Sequence, residues 1–329
     1  AGAGLAISFP DVLERLSSFE SATYNLGVVN DDGPNFNYEL EFNPASVMSE
    51  ADFAALGVQR PACLGIVSTA AAAKILHLKS ETRFDGFVVE GPKAGGHNAP
   101  PRKSSLLNER GEPIYDMAGK DNPGLEEIRS LGLPFWLAGE QCGPAAFRQA
   151  LELGANGVQI GTALSLCRES GHLTGTKLQS ITEIQAGTYD VLTDPLASPS
   201  GMPFKVLQRS GTMAMPEDYQ QRTRICDLGY LRHAYAKGGG ALGWRCPAEP
   251  TDDYVRKGGK LEDTVGRKCV CNGLMATLGL GQVRKDGFIE PPLITSGDDV
   301  SFLQHLQPKL GPDGLYGAGD VIDYVLGPA

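Results

Sequence analysis

The chain has 329 residues, enough for one large domain or two ordinary ones, and its 41% hydrophobic and 21% charged residues are typical of a soluble protein. Its net charge of −10 argues against binding nucleic acid or an anionic membrane through bulk charge, and no apolar run approaches the ~20 residues of a membrane helix. No secretory signal is visible, and seven scattered cysteines favour reduced thiols and a cytoplasmic location.

The first part of the chain predicts a helix, a hairpin and a βα unit. Apolar residues recur at helical spacing over residues 10–20. Two alternating runs, residues 22–29 and 36–42, flank the turn-rich sequence NDDGPN and predict a β-hairpin. A buried strand is expected at residues 60–68, followed by an alanine-rich helix at 69–81.

Strands and helices then alternate up to residue 162. The sequence FVVEG predicts a buried strand that ends at Gly91, and a long loop follows. A helix (123–132), a strand (133–139), a helix (143–154) and a strand (155–162) complete the series. Because strands that alternate with helices form right-handed βαβ units, four such repeats predict a parallel sheet with ligands at the carboxyl ends of its strands.

The pattern changes after residue 165. A polar helix is predicted at 174–187, a Pro/Ser/Gly-rich segment follows at 193–206, and residues 207–300 are expected to be irregular. A short helix is predicted at 319–326. We therefore divide the chain into residues 1–187, which carry the βα repeats, and residues 188–329.

The loop after the FVVEG strand contains Gly95, Gly96 and His97. Glycine allows the backbone to approach a ligand closely, and histidine can exchange a proton near neutral pH. These residues are consistent with a base held over a flat cofactor, and equally with a glycine-rich turn that carries a surface histidine.

Two further strand ends carry small residues, Ala138-Gly139 and Gly161-Thr162. Backbone N–H groups where a loop enters a helix can bind phosphate, and (β/α)8 barrels form a phosphate site after strands seven and eight. The alternative is ordinary βα turn chemistry, which also favours glycine.

The sequences GFVVEGPKAGGHNAPPR, PFWLAGEQCGP and GVQIGTALSLCRESG resemble the nitronate monooxygenase (2-nitropropane dioxygenase-like) family. RICDLGYLR, RCPAEPTDDYVRKGG and TVGRKCVCNGL resemble the cysteine-containing C-terminal extension of a longer subgroup. The resemblance implies an α/β fold of the (β/α)8 TIM-barrel type, of which this chain holds about the second half plus an irregular extension. It also implies FMN as cofactor.

The resemblance implies roles for particular residues. His97 would be the catalytic base or would orient the substrate. The segment 193–206 would cover the flavin. The residues that the resemblance implies in FMN binding are Ser68, Glu90, Gly95, Gly96, Ala138, Gly139, Gly161 and Thr162.

The implied reaction is the oxidation of an alkyl nitronate, or of the parent nitroalkane, by dioxygen to a carbonyl compound and nitrite. An FMN-dependent enoyl reductase that uses NAD(P)H is one alternative, since such enzymes share the Gly-Gly-His loop. A non-catalytic flavin- or metal-binding module is another. No macromolecular partner is implied, and the oligomeric state is left open.

Two departures from the family pattern bear on these expectations. Glu140 stands where the family often has a second glycine, so its carboxylate must point away from a phosphate or the loop must differ. The family's first strands are not in this sequence. We therefore interpret residues 1–4, AGAG, as the end of the fourth strand of a longer protein, and expect this chain alone to fold poorly because its sheet edge would be unpaired.

Four cysteines lie in the C-terminal part, namely Cys226, Cys246, Cys269 and Cys271. Four thiols can bind zinc or an iron–sulfur cluster, but this spacing is poor for common zinc modules. The sequence therefore favours free thiols, and we assign no metal ligands at this stage. Cys63, Cys142 and Cys167 are expected to pack within or near the barrel elements.

Overall fold

The computed structural model describes residues 7–80, 82–102 and 105–327, which form two compact units. The first unit comprises the described residues up to 89 together with residues 123–135 and 233–245. The second comprises residues 90–122, 136–232 and the described residues from 246 onward. The predicted strand end at residues 1–4 lies outside the described residues, and the division at 187–188 stays a prediction.

The secondary structure is as follows. The strands are β1 (Ala22–Val29), β2 (Phe36–Phe42), β3 (Leu64–Val67), β4 (Gly86–Glu90), β5 (Phe135–Ala138), β6 (Gly157–Gln159), β7 (Val191–Asp194), β8 (Phe204–Leu207), β9 (His233–Ala236) and β10 (Leu242–Arg245). The helices are α1 (Phe9–Ser17), α2 (Glu50–Leu56), α3 (Ala70–Lys79), α4 (Leu125–Arg129), α5 (Pro144–Glu152), α6 (Thr162–Ser165), α7 (Thr174–Ala186), α8 (Pro216–Gln221), α9 (Thr251–Arg256), α10 (Val270–Thr277), α11 (Phe302–Leu306) and α12 (Ala318–Leu326). Within the described ranges, no helix has the length and apolar character required to cross a membrane.

The predicted hairpin is confirmed in the first unit. β1 and β2 are antiparallel, and the turn is closed where the Asn30 N–H donates to the Asn35 side chain at 3.0 Å. On its other edge β1 runs parallel to β9, which is antiparallel to β10. These partners lie about 200 residues apart in the chain, so no local pattern could have indicated the pairing.

The βα repeat of the first unit begins at β3, which pairs with β4 in parallel. The strand starts at Leu64 and not at residue 60, because the Asp85 carboxylate accepts the Cys63 N–H at 2.6 Å and also binds Arg60. Helix α3 follows, with the Thr69 hydroxyl as its N-cap. Helix α2 was not predicted, although Ser49 caps it by accepting the Asp52 N–H.

The second unit continues the same pattern. β5 and β6 are parallel, with Trp136 opposite Gly157, and helices α5 and α6 follow them. Beyond the end of β4, the Gly91 N–H donates to the Ala138 carbonyl at 3.1 Å. The predicted α/β class with four successive βα repeats is confirmed, and this is the arrangement of half a (β/α)8 barrel.

Two hydrophobic clusters stabilise the second unit. In the first, residues of α11 and α12 pack on α6 and α7, and the buried Tyr316 hydroxyl donates to the Ala163 carbonyl at 2.7 Å. In the second, α10 packs beside β8, where a Cβ on Gly273 would lie 2.4 Å from that of Leu293. The helices predicted near 174–187 and 319–326 are confirmed. The expectation that residues 207–300 are irregular is wrong in part, because buried contacts order α8, α9 and α10.

Candidate functional site

A cavity of about 290 Å³ in the second unit lies where β4, β5 and β6 end. This is near the lower limit of ligand pockets, which span about 300–1,000 Å³. The structure brings together seven of the predicted flavin-site residues in the cavity wall, and these are Glu90, Gly95, Gly96, Ala138, Gly139, Gly161 and Thr162. Ser68 belongs to the first unit and does not line this cavity, and neither does His97.

Several other lining residues were not predicted. They include His172 and the segment Thr295–Gly297, which is distant in sequence from the βα repeats. The Thr295 hydroxyl accepts the Gly96 N–H at 2.8 Å, and the Thr162 hydroxyl accepts the Gly297 N–H at 2.9 Å. This segment therefore fixes two of the predicted loops, and no sequence signal near residue 295 indicates that role.

The two glycines before His97 are needed for different reasons. A Cβ on Gly95 would lie 2.9 Å from the backbone of Ser296 and Gly297, so the protein's own backbone approaches closely there. Gly96 has φ +84°, a left-handed conformation that side chains rarely adopt, and a Cβ there would meet no atom within 4 Å. Close approach to a ligand is thus not required to explain Gly95.

His97 is half-buried against the segment 193–206. Its Nε2 lies 2.6 Å from the hydroxyl oxygen of the fully buried Ser198, and its ring centroid is 4.7 Å from that of Phe204. The Ser198 hydroxyl is also 2.8 Å from the Ser200 hydroxyl. Burial lowers the pKa of His97 below its usual value of 6.5, so the imidazole is held neutral at pH 7 and can accept a proton.

Glu90 is the titratable group at the end of β4. Burial raises the pKa of Glu90 to about 7, and a hydrogen bond from the Asn98 side chain opposes this shift. The carboxyl group therefore changes its ionisation near neutral pH, inside the cavity wall. A carboxyl group with such a pKa can donate or accept a proton at physiological pH.

The two small-residue loops differ in backbone conformation. Gly139 has φ +91° and Glu140 has φ +57°, so Glu140 keeps a left-handed conformation that favours glycine. Its carboxylate lies 2.5 Å from the Lys93 ammonium. This ion pair neutralises the negative charge of Glu140, which from the sequence alone is difficult to reconcile with a phosphate site. Gly161 has an ordinary φ of −109°, and a Cβ there would meet no atom within 4 Å, so its side of the cavity is open.

Cys142 also lines the cavity, and burial raises the pKa of its thiol to about 12. The thiol is therefore protonated at neutral pH and is a poor nucleophile. Its expected packing role stays a prediction. Glu90 and His172 are among the titratable residues that line this cavity, and His97 stands outside the cavity lining.

Known proteins resemble this chain over limited stretches. A probable nitronate monooxygenase of Bacillus subtilis (strain 168) is 30% identical over 105 residues, which are 32% of this chain and 28% of that protein. The matched region thus spans little more than a quarter of that relative.

Two solved structures show weaker likeness. Nitroalkane oxidase from Streptomyces ansochromogenes has 22% identity and a TM-score of 0.33, covering 44% of this chain and 38% of its own. A mutant of FabK from Thermotoga maritima has 14% identity and a TM-score of 0.39, covering 84% and 62% of the two chains. Similarity to these two structures is too low to assign their activities to this chain.

The family model for nitronate monooxygenase matches residues 42–208. This region is half of the chain and includes β4 with the Gly-Gly-His loop, the two small-residue loops and the segment that holds Ser198. The chain therefore belongs to the nitronate monooxygenase family, a family of flavin-dependent oxidoreductases.

Proposed function

We propose that this chain forms the FMN-binding part of an oxidoreductase that converts alkyl nitronates and dioxygen into a carbonyl compound and nitrite. The observation that supports the proposal is the cavity in which Glu90, Gly139 and Gly161 come together in a member of this family. The proposal includes two further points: that the protein is cytoplasmic, and that its flavin is FMN.

The residues of the cavity fit a flavin phosphate. The open space beside Gly161 leaves its backbone accessible from the cavity, so a phosphate oxygen can approach closely. The Thr162 hydroxyl already accepts the Gly297 N–H, which leaves its own proton to donate. Because Lys93 is paired with Glu140, neutral donors would hold the phosphate.

A bound FMN would supply the electron transfer and the oxygen chemistry. The protein would contribute positioning and proton transfer. His97, held neutral by burial and oriented by Ser198, would remove the α-proton from a nitroalkane or orient the anionic nitronate. His97 follows the cavity-lining Gly95-Gly96 loop and does not line the cavity itself, so in this proposal the substrate would bind beside that loop.

The proposal is tested by FMN titration and nitrite release with a pair of glycine variants. Gly161→Leu would place a side chain in the open space of the cavity, and we expect FMN affinity and nitrite release to fall at least tenfold. Gly175→Leu is the matched control, because Gly175 is exposed on α7, has an equally open Cβ position and does not line the cavity. Equal FMN affinity of the two variants would contradict the phosphate assignment.

Rapid kinetics separate the proposed reaction from its rival. We expect the flavin to be reduced by nitronate and not by NADPH alone. Rapid bleaching by NADPH without nitronate would instead favour the enoyl reductase. If the protein folds but FMN does not saturate it, both the nitronate monooxygenase and the enoyl reductase assignments are wrong. The non-catalytic binding module would then be the remaining alternative.

A further inference from the structure

The four cysteines of the C-terminal part come together around one small cavity in the second unit. Cys226 precedes β9, Cys246 follows β10, and Cys269 and Cys271 lie at the start of α10. Three separate stretches of chain thus bring four of the seven cysteines to the same place. All four are free thiols, with Cys246 buried and the others half-buried. Their spacing in the sequence does not match common zinc modules, but the fold brings the four cysteines to one cavity.

One of these sulfurs accepts a hydrogen bond from a charged side chain. The Arg232 Nε–H donates to the Cys226 sulfur at 3.2 Å. Donors of this kind stabilise negative charge on sulfur, as they do around metal-bound thiolates.

The cavity wall is also rich in positive charge. Arg222, Arg224 and Arg232 line it. Among the described lining residues the one carboxylate is that of Glu249, which is paired with Lys257. Arg222 is fully buried, and although Glu290 binds part of its guanidinium, Nη1 has no hydrogen-bond partner among the described residues. A buried donor without a partner is costly, and negative charge in this cavity would offset that cost. Neutral thiols would not supply that charge, whereas thiolates on a metal centre would.

Four thiolates can bind two kinds of metal centre. Around one zinc ion, four thiolates lie about 3.8 Å apart, since each Zn–S bond is about 2.3 Å in a tetrahedron. Within the described part of the chain, no three histidine, cysteine or acidic side chains meet in a way that suits a single ion. In an iron–sulfur cluster the four thiolates bind two or four different iron atoms, so they need not surround a single point.

We propose that Cys226, Cys246, Cys269 and Cys271 ligate an iron–sulfur cluster in the C-terminal part of this protein. Binding would replace the four thiol protons with Fe–S bonds, and the arginine-rich wall would balance the negative charge of the resulting centre.

The test is a chemical analysis of protein produced in iron-supplied cells and purified without oxygen. We expect iron and acid-labile sulfide in equal amounts, two or four of each per chain, with little zinc. Cys226→Ser and Cys271→Ser should each lose most of the iron and sulfide. Cys63→Ser and Cys167→Ser are matched controls at buried cysteines outside the cluster and should keep both.

Several outcomes would overturn the proposal. Wild-type protein that holds no iron or sulfide, even after anaerobic reconstitution with Fe²⁺ and sulfide, excludes the cluster. One zinc ion per chain without sulfide replaces it with a zinc site. Iron retained equally by Cys226→Ser excludes these ligands. Circular dichroism in the far ultraviolet identifies a variant that fails to fold, and Cys226 is used because it is only half-buried. Because iron and sulfide are measured chemically, the result does not depend on whether the protein binds FMN.

Discussion

His97 illustrates how one side chain can be tested for a chemical role separately from a structural one. Its ring packs on Phe204 and its Nε2 contacts Ser198, and both contacts would also serve a purely structural role. We expect His97→Asn to slow turnover of neutral nitroalkane by about 10²–10⁴-fold, the usual value of general-base assistance. Preformed nitronate has already lost the proton, so its turnover should fall much less. Nitrite release per bound FMN measures both.

The variant His305→Asn serves as the control, because His305 is exposed on α11. Unchanged nitroalkane turnover in His97→Asn would end the catalytic-base hypothesis. Equal losses with both substrates would instead assign His97 to the orientation of the anion.

Glu90 should make stability depend on pH. Its pKa is about 7 in the folded protein against 4.5 ordinarily, so between these values the folded state keeps a proton that the unfolded state has lost. The free energy of unfolding should therefore fall as pH rises through this window, by up to about 3 kcal/mol. Glu90→Gln should remove that dependence. Urea unfolding at pH 5 and pH 8 measures it.

His97 contributes with the opposite sign, since its lowered pKa makes folding less favourable as pH falls below 6.5. That contribution is common to the wild type and Glu90→Gln and cancels in their difference. Glu152→Gln, at the exposed end of α5, controls for the loss of a carboxylate. The same pH dependence in Glu90→Gln and wild type would show that Glu90 ionises in the folded protein as it does in water.

At the level of elements, β8 is what positions the histidine loop. The Lys205 N–H donates to the Gly96 carbonyl at 3.0 Å, and the Asn98 N–H donates to the Pro203 carbonyl at 2.9 Å. The loop that joins β7 to β8 adds the Ser198 contact. The segment 193–206 was expected to cover the flavin, and here it contacts His97 without lining the cavity. Its role as a cover stays a prediction.

The sequence was informative where structure depends on near neighbours. The turn between β1 and β2, the βα repeats and α12 all follow local periodicity and turn chemistry, and they were predicted. Glu140 shows the limit, because its left-handed backbone and its pairing with Lys93 depend on the fold. Residues 295–297 and the four clustered cysteines meet their partners only through long-range packing, which periodicity does not reveal.

For the whole molecule, both compact units draw on residues from either side of the 187–188 boundary. In the first unit, β9 and β10 complete the sheet of β1, and Arg245 binds the Asp31 carboxylate at 2.8 Å. In the second, Ile181 of α7 shares a hydrophobic cluster with Phe302 and Val321. A protein cut at this boundary would lose a strand pairing and a core contact together.

We therefore expect residues 1–187 alone to be much less stable than the whole chain and to aggregate. The physical reason is that β1 would expose an unpaired edge and α7 an apolar face. The matched control is the whole chain with a protease site inserted after Gly187, at the end of α7. After cleavage the two pieces should remain together in gel filtration and keep a melting temperature close to that of the uncut chain, because the noncovalent contacts persist. If isolated residues 1–187 instead melt cooperatively at the temperature of the whole chain, the boundary at 187–188 separates independent domains, and the packing of α7 on α11 and α12 contributes little to stability.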